Sequence, residues 1–106
     1  MKLQDIKKLN VGDLVKDVET GAVFKVIDID LSEEDWCPLR VELVKTFGRH
    51  LNTSTWEPTN EQLYEVGDRA WLYIDESSAL VGGGEANEDD YIDFKTVITC
   101  EDLVLA

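Results

Sequence analysis

The glycine run Gly82-Gly83-Gly84 is the first stretch that could do chemistry, because the backbone N–H groups of glycine-rich loops can hold phosphate groups. No Lys-Ser or Lys-Thr pair directly follows the run. The next charged residue is Glu85, whose carboxylate would repel a phosphate. We therefore predict a flexible hairpin tip here and no phosphate site.

Two acidic segments could hold a divalent cation. The first runs from Asp28 to Asp35, but an EF-hand loop needs Gly at its sixth position and Glu at its twelfth. Counted from Asp28, those positions hold Glu33 and Leu39. The second segment contains Glu85, Glu88, Asp89, Asp90 and Asp93. For both we predict solvated loops, with weak divalent binding as the alternative, and no dedicated metal site.

Nucleophilic catalysis has little support in the residues. His50 is the only histidine, and no serine or cysteine nucleophile context accompanies it, so we predict an exposed turn residue. Cys37 and Cys100 are far apart and belong to no CxxC pair. They are expected to be reduced, partly buried thiols, with a disulfide as the alternative. We predict no enzyme activity and no cofactor.

Charge is the most informative feature for function. Ten Lys and Arg against 23 Asp and Glu give a net charge of −13 at pH 7. Residues 1–27 carry a net +1, residues 28–60 a net −4 and residues 61–106 a net −10. Nucleic-acid affinity comes largely from Lys and Arg at phosphates, and anionic membranes attract the same residues. The sequence therefore predicts no direct nucleic-acid partner, no membrane partner and a basic protein surface as the preferred partner.

The elements expected to present this charge are β-strands. Val11-Gly12-Asp13 opens a strand in which Leu14 and Val18 are predicted to face inward and Lys16 outward. Thr20-Gly21 then turns the chain into a second strand, residues 22–29, which alternates through Phe24 and Val26 or, in the other register, through Val23 and Ile27. Before them, the three-residue spacing of Leu3, Ile6 and Leu9 indicates one short helical turn.

The strongest strand prediction is residues 39–44, where Leu39, Val41 and Leu43 alternate with polar residues. We expect a turn at residues 47–50, a return strand over residues 51–56 and a tight helical turn over residues 58–63. A further strand over residues 63–66 closes this part of the chain. Residues 66–75 again begin with Val-Gly-Asp and read as another strand, as do residues 91–99.

This order of strands and turns over residues 9–66 resembles that of small SH3-like β-barrel accessory proteins of bacteria and phages. The resemblance rests on patterning and implies a mainly β fold, with an SH3-like barrel unit at residues 1–66. Residues 67–106 are expected to form a shorter β unit packed on the first or continuous with it. Residues 68–106 are expected to add strands to one larger sheet, and a degenerate repeat, indicated by the second Val-Gly-Asp, is the alternative. Such barrels bind many kinds of partner, so the resemblance does not specify a function.

The three tryptophans are expected to play different roles. Trp56 and Trp71 lie in predicted strands, which indicates core or sheet-face positions. Trp36 follows three acidic residues in a loop and is the predicted contact hot spot. The predicted partner-binding residues are Glu33, Glu34, Asp35, Trp36, Glu85, Glu88, Asp89, Asp90 and Asp93.

We interpret the sequence as a non-catalytic acidic protein-binding module. The leading hypothesis is a phage-type inhibitor or nucleic-acid mimic that occupies a basic surface of a partner protein, such as a nucleic-acid-binding protein. The alternative is a structural or assembly subunit whose acidity serves solubility. The N-terminal residues show no secretory signal, so a cytoplasmic location is expected.

Overall fold

The computed structural model describes residues 1–32, 37–52, 55–61, 64–74, 79–82, 97–98 and 102–106. It is mainly β, as the sequence predicts. Its elements are α1 Leu3–Ile6, β1 Leu14–Asp17, β2 Val23–Ile29, β3 Cys37–Lys45, β4 His50–Asn52, β5 Glu57–Thr59, β6 Arg69–Ile74, β7 Ala79–Gly82, β8 Val97–Ile98 and β9 Leu103–Leu105.

Most of these strands lie in one sheet. Its order is β8-β7-β6-β3-β2-β1-β9, with seven strands and antiparallel neighbours throughout, while β4 and β5 form a separate two-stranded hairpin. β6, from the second half of the chain, pairs directly with β3 from the first. The described strands of the two halves therefore share one hydrogen-bonded sheet.

The hydrophobic core covers one face of this sheet. β3 carries its predicted alternation, with Leu39, Val41 and Leu43 fully buried. β2 adopts the first of its two predicted registers, because Phe24 and Val26 are buried. α1 packs Leu3 and Ile6 against the same core, as expected for a short amphipathic turn.

The two Val-Gly-Asp motifs form the same turn at equivalent places in the sheet. The Gly12 N–H donates to Val26 O at 2.7 Å and the Val26 N–H donates to Asp13 O at 2.9 Å. Gly67 and Asp68 make the same two bonds to Leu43 of β3, both at 2.8 Å. In each motif the aspartate Oδ2 accepts the N–H three residues upstream at 2.8 Å. Each motif thus docks the start of its strand, β1 or β6, onto a central strand.

Replacing Gly12 or Gly67 with alanine should lower the free energy of unfolding by about 1–2 kcal/mol each. Their φ angles are +99° and +98°, which an L-residue with a Cβ rarely adopts. Open space surrounds both positions, so the cost is one of backbone strain. Urea unfolding measures it, and asparagine at either position should restore part of the loss. Equal losses for alanine and asparagine would contradict this explanation.

The predicted inward positions of Leu14 and Val18 are wrong, although Lys16 faces outward as predicted. Leu14 is 40% exposed and Val18 is 53% exposed, whereas Val15 and Asp17 are buried. Val15 pairs with Phe24, and cross-strand partners lie on the same face of a sheet, so Val15 joins the core. Apolar residues occur on both faces of this short strand, so the hydrophobic pattern alone could not fix its orientation.

The predicted return strand is confirmed at residues 51–52 but ends there, and the helical turn predicted over residues 58–63 is wrong in its described part. β4 ends at Asn52, and the chain reverses through Thr55 and Trp56, whose N–H groups donate to Asn52 O at 3.3 and 2.7 Å. β5 then takes the place of the start of the expected helical turn. Pro58 in β5 pairs with Leu51 of β4, in a two-stranded hairpin where a residue without an N–H is tolerated.

Candidate functional site

The nine predicted partner-binding residues all lie outside the described residues. They are Glu33, Glu34, Asp35, Trp36, Glu85, Glu88, Asp89, Asp90 and Asp93. Their assignment to a partner surface stays a prediction. The described residues do show how charge is arranged on the sheet that flanks them.

The face of the sheet opposite the core carries an excess of basic residues, which we call the cationic sheet face. Three cross-strand rows define it. These rows are Val104–Lys16–Val23–Lys45, Leu14–Lys25–Glu42–Arg69 and Asp28–Arg40–Trp71. They contain five of the ten basic residues of the chain and, among the described residues, only two acids, Asp28 and Glu42.

Two contacts on the cationic sheet face hold its side chains. The guanidinium of Arg40 lies 5.6 Å from the ring centre of Trp71, in a cation–π arrangement. Arg69 Nε donates to Glu42 Oε1 at 3.3 Å across neighbouring strands. Both side chains of this ion pair are partly exposed, so it contributes little to stability. Trp71 is half-buried on this face, which confirms its predicted sheet-face position.

The residues that flank two further acidic stretches, residues 33–36 and residues 75–78, meet at one end of the sheet. Cys37, which follows residues 33–36, pairs with Ile74, which precedes residues 75–78. Exposed Asp28 and Asp30 close β2 at the same end, where Ile29 pairs with Leu39. Hydrogen bonds from the side chain and backbone of Ser32 lower the pKa of Asp30, which keeps its carboxylate ionised at neutral pH.

His50 is buried, so the predicted exposed turn residue is wrong. It is 4% exposed and packs against the rings of Phe47 and Tyr64, with centroids 5.5 and 6.0 Å away. Its Nδ1 lies 2.8 Å from Gly48 O, a distance at which the ring donates to this carbonyl. His50 is the first residue of β4, and its packing against Phe47 and Tyr64 gives it a structural role at the base of the β4–β5 hairpin.

Asp17 is the one buried carboxylate among the described residues. Its Oδ2 accepts the Thr20 hydroxyl at 2.6 Å and its Oδ1 accepts the Glu19 N–H at 3.2 Å. Burial raises the pKa of Asp17, and the charge of Asp102 adds to this, while the hydrogen bonds from Thr20 and Glu19 oppose it. Asp17 thus holds the turn between β1 and β2 from inside.

The raised pKa of Asp17 predicts a specific pH dependence of stability. The pKa of Asp17 is higher in the folded state than in the unfolded state, where it is about 4. The stabilising contribution of Asp17 is therefore complete below about pH 4 and is lost as pH rises toward the folded-state pKa. The free energy of unfolding of the wild type, relative to that of Asp17→Asn, should therefore decrease from about pH 4 to about pH 7. Urea unfolding at several pH values measures this difference. Asp28→Asn, at an exposed position, is the matched control, and a difference that grows with pH would contradict the prediction.

Trp56 is exposed, so its predicted core or sheet-face position is wrong. The side chain is 69% exposed and sits in the turn of the β4–β5 hairpin. The sequence did contain a signal for this position. Residues 52–55 are four consecutive polar residues, Asn-Thr-Ser-Thr, a run more typical of a loop than of a strand.

A groove with mainly apolar walls lies beside β9. It has a volume of about 500 Å³ and is lined by Met1, Asp5, Lys8, Leu9, Asp13 and residues 103–105. Val104 and Leu105 of β9 are exposed beside it. Asp5, Lys8 and Asp13 contribute charged groups to its lining, but most of its wall is apolar, so an occupant would contact it mainly through apolar surface.

Cys37 is a buried free thiol in the core. Burial raises its pKa, nearby Asp30 adds to the effect and Lys7 opposes it, so little reactive thiolate is present at neutral pH. Cys100 lies outside the described residues. Within the described ranges, no three His, Cys, Asp or Glu side chains are grouped as metal ligands would be. The helical residues described in this chain form no segment with the length and apolarity needed to cross a bilayer.

Comparison of the chain with protein-family models, with curated proteins and with solved structures gives no match. Any function must therefore be argued from the residues and their geometry.

Proposed function

We propose that this protein is a non-catalytic acidic binding module that occupies a basic surface of a partner protein. The partner surface we favour is one that normally binds nucleic acid, so that the module acts as a phage-type inhibitor or nucleic-acid mimic. Carboxylates outside the cationic sheet face would take the place of phosphates.

The observation that carries this proposal is the segregation of charge. The cationic sheet face holds half of the basic residues, although the chain has a net charge of −13. The remaining surface is therefore more acidic than the composition alone indicates. A molecule with one acidic side and one basic side orients itself as it approaches a charged partner, which speeds association and fixes the docking direction.

Salt dependence tests this proposal. Capture of a Lys- and Arg-rich probe protein should weaken strongly as NaCl is raised from about 50 to about 500 mM, because the Debye length falls below the spacing of most charge pairs. Reversing Glu88, Asp89 and Asp90 together to lysine should weaken capture at least tenfold, about 1.4 kcal/mol. Isothermal calorimetry measures both effects.

Reversal of Lys7, Lys8 and Lys25 to glutamate is the matched control, because it changes the charge by the same amount in the opposite direction. We expect it to preserve or strengthen capture of the basic probe. If the acidic triple variant binds as tightly as the wild type, the proposed function is wrong.

For the fold, we propose an SH3-like small barrel extended by C-terminal strands. The equivalent Val-Gly-Asp turns at residues 11–13 and 66–68 support a degenerate repeat, since β1 docks on β2 as β6 docks on β3. Ala70 lies three residues after Gly67 and pairs with Val41, as Val15 lies three residues after Gly12 and pairs with Phe24. The division into units at residues 1–66 and 67–106 stays part of this proposal.

The apolar groove beside β9 favours a second candidate, a structural or assembly subunit. Such a subunit would associate through Leu9, Val104 and Leu105, and its binding would be nearly insensitive to salt. Leu105→Lys would abolish that association and leave capture of a basic probe unchanged. The two candidates thus differ both in salt dependence and in the variant that disrupts them.

A further inference from the structure

Trp56 occupies an unusual position for a large aromatic residue. It lies in the turn of the β4–β5 hairpin with 69% of its surface exposed. Among the large apolar residues that the structure describes as exposed, Trp56 is aromatic and all the others are aliphatic. Burial in the core therefore does not explain why a tryptophan stands here.

The backbone at Trp56 is strained. Its φ is +57°, and no other non-glycine residue described in this chain has a positive φ. Asparagine, aspartate and glycine adopt this left-handed conformation at much lower cost than a bulky aromatic residue. The Trp56 N–H donates to Asn52 O at 2.7 Å, and this bond holds the turn closed. A residue that is costly for folding and contributes no core packing indicates a role in function.

The stretch of sequence that contains Trp56 is acidic. From His50 to Asp68 the sequence contains four acids and no Lys or Arg. Of these acids, Glu57 follows Trp56 directly, and Glu57, Glu61 and Glu65 are all exposed. An exposed indole with an exposed glutamate directly after it in the chain complements a partner side chain that is both cationic and flat. Arginine fits best, because its guanidinium stacks on aromatic rings and pairs with carboxylates.

We propose that Trp56 is the anchor through which this protein binds an arginine of its basic protein partner, with the indole stacked on the guanidinium and nearby carboxylates beside it. The inference rests on the proposed function and adds to it one residue and one partner side chain. Arg40 and Trp71 already show the geometry within this protein, with the guanidinium 5.6 Å from the ring centre. Tryptophan and arginine are also the residues most enriched at the energetic centres of interfaces.

The closing experiment uses Trp56→Asn, which removes the indole and suits the left-handed backbone. The probe is an oligoarginine peptide at low salt, with binding measured by calorimetry and stability by urea unfolding. We expect binding about tenfold weaker than that of the wild type and a stability equal to or above that of the wild type. Val66→Asn is the matched control, because Val66 is 66% exposed in the same acidic stretch, and it should change neither quantity.

A second measurement does not depend on any variant folding. In the wild type, the indole N–H signal of Trp56 should shift on titration with oligoarginine, and it should shift less with oligolysine, whose ammonium groups do not stack. A wild type that binds oligoarginine while this signal stays unchanged, or a Trp56→Asn variant that binds as tightly, overturns the anchor and leaves the acidic module intact. A wild type that fails to bind oligoarginine at low salt overturns both proposals.

Discussion

Replacing Phe24 with alanine should lower the free energy of unfolding by about 3–5 kcal/mol. Phe24 is fully buried in β2, pairs with Val15 on one side and Leu43 on the other, and contacts Phe47 edge to face at 5.7 Å. Alanine would remove this ring contact and leave a cavity in the core beneath the sheet, which the hydrogen-bonded strands cannot move to fill. Because small domains are stable by only about 5–15 kcal/mol, the loss would remove a large share of the total stability.

Urea or guanidinium unfolding, followed by tryptophan fluorescence, measures this loss. Val23→Ala is the matched control, because Val23 is the neighbour of Phe24 and lies half-buried on the opposite face of the sheet. It should cost less than about 1.5 kcal/mol, since fewer methyl contacts are lost. Equal costs for the two variants would mean that the core does not lie on the Phe24 face.

The parts of the fold that could be predicted are those in which one periodic signal dominates. β3 alternates over six residues, and both Val-Gly-Asp motifs combine a glycine that must adopt positive φ with an aspartate that caps the turn. Local interactions determine these features, so they can be predicted from the sequence alone. β1 has apolar residues on both faces, and only its pairing with β2 and β9 decides which face is buried.

The candidate site was less predictable, because it depends on which surfaces the fold brings together. The net charge is readable from the sequence, but the cationic sheet face combines residues from five strands. Its row of Val23 and Lys45 also depends on an irregularity in the β2–β3 register. His50 was misplaced because its aromatic neighbours Phe47 and Tyr64 cluster only in the folded chain. Trp56 was misplaced because an aromatic residue near a strand is usually buried.

The cationic sheet face limits which side of the protein can contact a basic partner. The cationic sheet face offers five basic side chains in three rows, so the acidic module cannot present that side to a basic partner. The β4–β5 hairpin lies outside this sheet, and its tip carries Trp56. Trp56 and the exposed Glu57 therefore belong to an element separate from the strands that carry the basic rows.

Gly48 controls how this hairpin is joined to the sheet, and Gly48→Ala should lower the free energy of unfolding by about 1–3 kcal/mol. The Gly48 N–H donates to Thr20 O at 2.8 Å, and a Cβ at Gly48 would lie 2.9 Å from the same oxygen. Thr20 cannot easily move away, because its hydroxyl is bonded to buried Asp17. The added methyl group must therefore break the bond that ties the hairpin to the β1–β2 turn.

Urea unfolding measures the loss at Gly48, with Arg49→Ala at the exposed neighbouring position as the matched control. We expect Arg49→Ala to change stability by less than about 0.5 kcal/mol. Because β4 begins two residues after Gly48, the indole N–H signal of Trp56 should also move in Gly48→Ala and not in Arg49→Ala. An unchanged stability together with an unchanged Trp56 signal would show that the contact between Gly48 and Thr20 does not position the hairpin, and the placement of Trp56 would then need another physical cause.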